Sequence, residues 1–252
     1  MISLRLIGGP TVLIEVPGLR LLTDPTFDDP GSYARGVTLT KLEGPDIPLD
    51  DLGSIDAVLL SHDQHADNLD EAGKAFALKA RNLITTVAAT SRLAAGVGLA
   101  PWESVMLEGA DGQAYRLTAT PARHGPPGAE KLLGDVIGFV LSIVDGPDLI
   151  YVTGDTVFYD GVAEVSRRFD PQIVLAFAGA ARTRGAFNLT MGNDDLLELA
   201  QALPRAQIAV AHNAGWAHFT EGPADVLSAA SAFGLSGRLQ SLERGRSLEV
   251  AL

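Results

Sequence analysis

Read from the N-terminus, apolar residues come in short runs broken by glycine, proline and polar clusters, the layout of a chain built largely on strands. Residues 3–7, 11–16 and 20–24 are β-prone and are separated by Gly8-Gly9-Pro10 and Pro17-Gly18, which predicts an antiparallel meander. Residues 25–53 carry Pro25, Pro30, Gly31, Gly36, Gly44, Pro45, Pro48 and Gly53 and are expected to form one long irregular loop. A loop of that length inside a compact domain is usually functional. Ala57 to Leu60 then reads as a strand buried on both faces, within a strand spanning 56–61, and a helix follows from about 69 to 80. Beyond it the pattern alternates. Strands are predicted at 82–87, 104–108, 114–121, 136–144, 149–152, 172–177, 207–211 and 247–251, and helices at 89–95, 161–168, 192–202 and 223–233. Asn193 or Asp194 is expected near the cap of the helix at 192–202. The alternation predicts an α/β fold, and no internal repeat or low-complexity linker interrupts it.

The buried strand at 56–61 turns abruptly polar. From Ser61 to Asp70, the side chains of Ser61, His62, Asp63, His65, Asp67, Asn68 and Asp70 could all bond a metal through nitrogen or oxygen. All five histidines, His62, His65, His124, His212 and His218, lie at or just past the C-terminal ends of predicted strands, and so does Asp155. A single histidine at a strand end is ordinarily a hydrogen-bonded structural residue. Six such groups on one rim are better explained by residues that folding gathers around a shared cation. Imidazole and carboxylate suit Zn, Mn or Fe, and there is no cysteine to offer a softer ligand.

Composition narrows the partners. At 252 residues the chain fits one domain at the upper end of the usual range. No stretch approaches the length of apolar run a membrane span needs, and the N-terminus lacks a signal-peptide layout, so a soluble, cytoplasmic protein is expected. The formal net charge of -12 argues against nucleic acid or an anionic membrane as partner and leaves a small-molecule substrate. A homo-oligomer is left open. Arg123, Arg182 and Arg184 are candidates to clamp an anionic group of the substrate, with surface arginines the plainer reading. Trp216 and His218 are candidates to line the pocket, although a Trp-Ala-His-Phe run is equally consistent with packing.

The chain resembles the metallo-β-lactamase superfamily, whose pattern is a strand ending in HxHxDH, a later His, a later strand ending in a metal-bridging Asp, and a last His. More narrowly it is similar to the branch with the ascorbate-6-phosphate lactonase-like proteins. The residues that carry this are Gly8-Gly9-Pro10-Thr11, Leu22-Thr23-Asp24-Pro25, Ser61-His62 with Asn68-Leu69-Asp70, Thr153-Gly154-Asp155-Thr156 and Thr190-Met191-Gly192, which together span almost the whole chain. The resemblance implies a four-layer αββα sandwich of two mixed sheets flanked by helices, formed by residues 1–252 as a single domain. It departs from the pattern at the site. If His62 opens HxHxDH, the second position is Gln64, a poor ligand. If His65-Ala66-Asp67-Asn68 is laid on HxDH, the last His is Asn68 and Asp63 falls where the first belongs, a role His62 recovers through a one-residue bulge. The second register is preferred, since residues at i and i+3 converge in a tight turn.

What the resemblance implies is a metal-dependent hydrolase that uses a metal-bound hydroxide on a lactone, phosphodiester or related ester. One or two divalent ions are implied, Zn first with Mn or Fe as alternatives. Site one would be His62, His65, His124 and Asp155; site two would be Asp67, Asp155 and His212, with Asn68 a weak addition. Asp67 and His218 are the catalytic candidates, Asp67 to orient the water and take its proton if it is not itself a ligand, His218 to stand in as a ligand for the missing histidine. Asp63 and Asp70 are the expected partners holding the imidazole tautomers. Gly154 is expected to allow close backbone approach where Asp155 turns inward. The departures at Gln64 and Asn68 also leave a metal-site-degenerate, non-catalytic binding protein of the same fold as the alternative.

Overall fold

Strands dominate the computed structural model, which describes residues 1–251. The first half runs β1 (Ile2–Gly8), β2 (Thr11–Val16), β3 (Leu19–Thr23), β4 (Gly31–Arg35), β5 (Val37–Lys41), β6 (Ala57–Leu59), α1 (Glu71–Ala77), β7 (Leu83–Thr86), α2 (Val87–Leu93) and β8 (Val97–Leu99). The second runs β9 (Ser104–Glu108), β10 (Ala114–Pro121), α3 (Glu130–Leu133), β11 (Ile137–Ile143), β12 (Asp148–Val152), α4 (Asp160–Arg168), β13 (Ile173–Phe177), α5 (Asn193–Ala202), β14 (Gln207–Ala211), α6 (Pro223–Ala232), β15 (Leu239–Ser241) and β16 (Ser247–Val250).

Two seven-stranded sheets result, ordered β16-β1-β2-β3-β6-β7-β8 and β15-β14-β13-β12-β11-β10-β9. In each, one half is antiparallel and the other parallel: β3, β6, β7 and β8 pair in parallel in the first sheet, and β12, β13, β14 and β15 in the second. Alternation within the strands explains the layering. On β1 and β2, Ile2, Leu4, Val12 and Ile14 face the second sheet, where they meet Tyr115, Phe139, Ile150 and Phe177 in one core. Val140, Tyr151, Val174 and Val210 point to the opposite face of the second sheet and are covered by Val162 and Val165 of α4, Leu196 and Leu199 of α5, and Val226 of α6. The outer face of the first sheet packs Val58 and Leu83 on Leu69 and Ala77 of the α1 region. The fold is therefore α/β, with two mixed sheets between helical layers, as expected. Among the described residues no helix is long and apolar enough to cross a membrane.

Residues 25–53 depart from the expected irregular loop, since β4 and β5 form a hairpin within them, pairing Gly31 with Lys41 and turning at Gly36. The flanking glycines and prolines mask a period-2 segment in which Leu39 and Lys41 are buried while Thr38 is exposed. Two three-residue edge strands, β8 and β15, were too short to leave a pattern. At α5 the cap is Gly192, whose N–H donates to Asp195, rather than the side chain of Asn193 or Asp194.

Candidate metal centre

The parallel halves of both sheets end on the same rim, which is where α/β sheets place ligands. From the first sheet, the chain after β6 delivers Ser61, His62, His65, Asp67 and Asn68; a tight turn that starts at His65, with Asn68 and Leu69 N–H donating to its carbonyl, carries the chain on through Asp67 and Asn68. From the second, His124 follows β10, Asp155 follows β12 and His212 follows β14. Gly154 has φ +62°, and a Cβ there would stand 2.5 Å from the Ile137 carbonyl oxygen, so only glycine lets the chain turn Asp155 inward. His212 also sits in the left-handed region at φ 57°, held by its N–H donating to the Gly9 carbonyl at 2.9 Å. The Gly8-Gly9 turn thus braces the site besides closing the β1–β2 hairpin.

Two groups of donors converge, His62, His65, His124 and Asp155 in one and Asp67, Asp155 and His212 in the other, each with its ligand atoms within 4.8 Å of one another. His62 Nε2 and His65 Nδ1 are 2.9 Å apart, His65 Nδ1 and His124 Nε2 3.2 Å, and His124 Nε2 and Asp155 Oδ2 3.6 Å. In the second group His212 Nε2 lies 3.4 Å from Asp155 Oδ1 and 3.5 Å from Asp67 Oδ2. Nitrogens bound at about 2.0–2.1 Å to one tetrahedral ion stand about 3.3 Å apart, so these spacings match a shared cation. Asp155 presents one oxygen to each group.

Hydrogen bonds fix which ring nitrogens are free to ligate. The Leu189 carbonyl can only accept, so the His124 Nδ1 2.7 Å from it carries a proton and leaves Nε2 as a lone-pair donor. Ser61 donates its N–H and hydroxyl to Asp24 Oδ1, at 2.8 and 2.9 Å, so the Ser61 oxygen accepts from His62 Nδ1 at 3.0 Å and His62 Nε2 is free in turn. Burial, then the neighbouring His65, holds the His62 imidazole well below its ordinary value; burial and His124 bring His65 to about 4. Both rings are therefore neutral at physiological pH, the form that binds a metal. Burial pushes Asp67 and Asp155 up, yet the surrounding imidazoles outweigh it, His218 first for Asp67 and His212 for Asp155, and both carboxyls lie below their usual range. His212 is raised, the Asp155 and Asp67 carboxylates overcoming its burial. His212 Nε2 and Asp67 Oδ1 are buried with no hydrogen-bond partner among the described residues, which is what an ion-binding site leaves when described without its ion.

The remaining sequence candidates divide. His218 Nε2 is 2.9 Å from Asp67 Oδ2 and lies outside both converging groups. Asn68 donates through Nδ2 to Asp155 Oδ1 at 3.3 Å, and its carbonyl oxygen is buried and unpartnered. Gln64 lines the same cleft as His65, Asp67 and His124, with its amide end packed against Gly134. Asp63 and Asp70 do not hold the imidazoles as expected. Asp63 pairs with Arg92, while Asp70 caps α1, accepts from the Phe27 and Asp28 N–H groups, and meets Lys41 Nζ at 2.9 Å. The imidazole partners are instead Ser61, backed by Asp24, and a main-chain carbonyl. Trp216 is 3% exposed and packs on Tyr33 and Leu39, so it is a packing residue. Of the three arginines only Arg184 reaches the cleft; Arg123 lies 4.4 Å over the Tyr159 ring and Arg182 bonds Asn188.

A fold of this kind with such a rim defines a metallo-β-lactamase-type protein. A family profile described as a beta-lactamase superfamily domain matches residues 19–213, and the chain belongs to that family. It is 26% identical over 250 residues to the UPF0173 protein YddR of Bacillus subtilis, covering 96% of this chain and 97% of that one. Two solved structures are similar in fold. One is an isothiocyanate hydrolase from Delia radicum gut bacteria (TM-score 0.83, 22% identity, 99% of this chain and 100% of that chain). The other is described as a possible metal-dependent hydrolase from Veillonella parvula (TM-score 0.87, 21% identity, 99% and 100%).

Proposed function

We propose that this protein is a metal-dependent hydrolase of small molecules, and that its ligands are His62, His65, His124 and Asp155 for one ion and Asp67, Asp155 and His212 for a second. The observation that carries the reading is the convergence of those donors at spacings one cation would satisfy, with Asp155 shared. Divalent ions, Zn first, would supply Lewis acidity and a water whose pKa falls towards about 7. The chain's own part follows from its hydrogen bonds. With only the first ion bound, so that Asp67 is not itself a ligand, Asp67, ionised and bonded to His218, would orient the attacking water and accept its proton. His218, whose Nε2–H donates to Asp67 Oδ2 and which lines the cleft, holds that carboxylate in place. Ser61, Asp24 and the Leu189 carbonyl keep the ligating nitrogens unprotonated. Asn68 in place of an imidazole makes the second ion the weaker one.

The reactions of the relatives support hydrolysis of a polarised carbon or phosphorus centre. Besides the isothiocyanate hydrolase, a stretch of 106 residues is 32% identical to an N-acyl-phosphatidylethanolamine-hydrolyzing phospholipase D of Caenorhabditis elegans, 28% of that protein's length. A lactone, phosphodiester or related ester is the substrate range proposed for this chain, the lactone resting on the resemblance to the ascorbate-6-phosphate lactonase-like branch. Elemental analysis of purified protein tests the reading. One or two equivalents of Zn, Mn or Fe are expected, and Asp155→Ala should lose most of them. Protein that is metal-free and resists reconstitution would overturn it in favour of a non-catalytic binding role.

A further inference from the structure

A cleft of about 150 Å³ opens over His65, Asp67, His124 and His218. Its floor is polar, and much of its wall is hydrocarbon, made by Val37, Leu39, Leu133, Ala181 and Leu189 from three segments far apart in sequence, with Tyr33, Thr183 and Arg184 lining the same space. These walls are fixed. Leu39 packs with Ala66 and Trp216, Leu133 packs with Ala181 and Leu189, and Phe219 lies against both clusters. The β4–β5 hairpin that carries Val37 and Leu39 is tied down by the buried Lys41–Asp70 pair, by Leu42 N–H donating to the Gly215 carbonyl at 2.7 Å, and by Ala217 N–H donating to the Thr40 carbonyl at 3.0 Å. A preformed apolar wall contributes selectivity without ordering cost.

We infer that the substrate carries, beside the bond that is cut, a compact hydrocarbon group no larger than a benzene ring, seated between Val37, Leu39 and Leu133. This deepens the hydrolase reading and rests on it. The size limit follows from the volume, since a closed apolar cavity of about 150 Å³ holds benzene and here part of that space lies over the polar floor. A longer chain would pass Leu132, 70% exposed at the mouth, and gain little more burial.

Hydroxamates test this independently of the reaction, because their head group binds the metal and their tail reads the cleft. Dissociation constants of acetohydroxamate, benzohydroxamate, decanohydroxamate and succinyl monohydroxamate would be measured by calorimetry on metal-loaded protein, with metal content determined in parallel. Benzohydroxamate should bind at least about tenfold tighter than acetohydroxamate, the decano compound no tighter than the benzo, and the succinyl compound weaker than the benzo. Val37→Asp should bring the benzo to aceto ratio towards one, and the near-isosteric Val37→Thr should lower it part of the way, so the test survives if the aspartate variant fails to fold. A ratio near one in the wild type, or tightest binding by the succinyl compound, refutes the inference while leaving the metal centre standing. Protein that takes up no metal and binds none of the four refutes the hydrolase reading itself.

Discussion

Gly73→Ala sets two effects of opposite sign against each other. Gly73 is inside α1, where replacing glycine by alanine ordinarily stabilises a helix by about 0.8–1.0 kcal/mol. Here the helix is pressed onto another segment. A Cβ on Gly73 would lie 1.8 Å from the Pro25 carbonyl oxygen and 2.5 Å from the Pro25 carbonyl carbon, both main-chain atoms that cannot rotate aside. Opening such a gap to ordinary contact requires the Pro25 backbone or the helix to shift by more than an ångström, and overpacking this severe costs about 2–3 kcal/mol, the upper part of the usual range. Sterics win, and after subtracting the propensity gain the variant should be about 1–2 kcal/mol less stable, a fall of roughly 2–8 °C in melting temperature for a chain of this size. Pro25 follows Asp24, which holds Ser61 and through it His62, so the same shift should also weaken metal retention. Urea unfolding at unchanged m-value is the assay, with Gly237→Ala as control, since an added Cβ there meets nothing within 4 Å and should change stability by no more than about 0.5 kcal/mol. Gly73→Ala as stable as the wild type, or more so, would refute the reasoning.

Other outcomes follow from the same contacts. Ser61→Ala removes the acceptor of the His62 Nδ1 proton and should weaken metal binding about 10–100-fold in a chelator competition titration; unchanged affinity would mean the Asp24–Ser61–His62 chain does not orient the ligand. Lys41→Met leaves Asp70 buried with three N–H donors and no cation, and should cost about 2–4 kcal/mol in chemical denaturation, less than a fully orphaned charge; wild-type stability would contradict this. His218→Gln should lower kcat by about 10–100-fold while elemental analysis still finds the wild-type metal content, whereas lost metal would make His218 a ligand instead of the residue that positions Asp67.

The strand ends were legible because a buried apolar run followed at once by histidine and aspartate leaves a signature in residue type alone. His62, His65, His124, Asp155 and His212 could be singled out in this way, and the structure places all five within one pair of adjoining donor groups. The partners of those imidazoles were not legible. One is the main-chain carbonyl of Leu189, which any residue would provide. Another is Asp24, which looked like the end of a strand and acts through Ser61, a contact between residues 37 apart. Asp63 and Asp70 were the obvious carboxylates by proximity in sequence, but neighbours along an extended chain point to different sides. Asp63 goes outward to Arg92, and Asp70 is engaged by the start of α1.

The hairpin that walls the cleft escaped for a related reason. Its strands bury side chains against the 212–218 segment rather than within either main sheet, so its pattern is short and its flanks read as turns. The same long-range logic governs the centre itself. Of the first donor group, His62 and His65 come from the loop after β6 and His124 and Asp155 from the second sheet; of the second, Asp67 comes from that loop and Asp155 and His212 from the second sheet. Neither group is complete without both sheets packed face to face. A bound ion therefore draws on the core between them, where Ile14, Leu21 and Leu59 meet Phe139, Ile150 and Phe177, and gains affinity only as that core forms. No window of sequence contains a whole site, which is why residue types could nominate the donors while only the packing of the two sheets could bring them together.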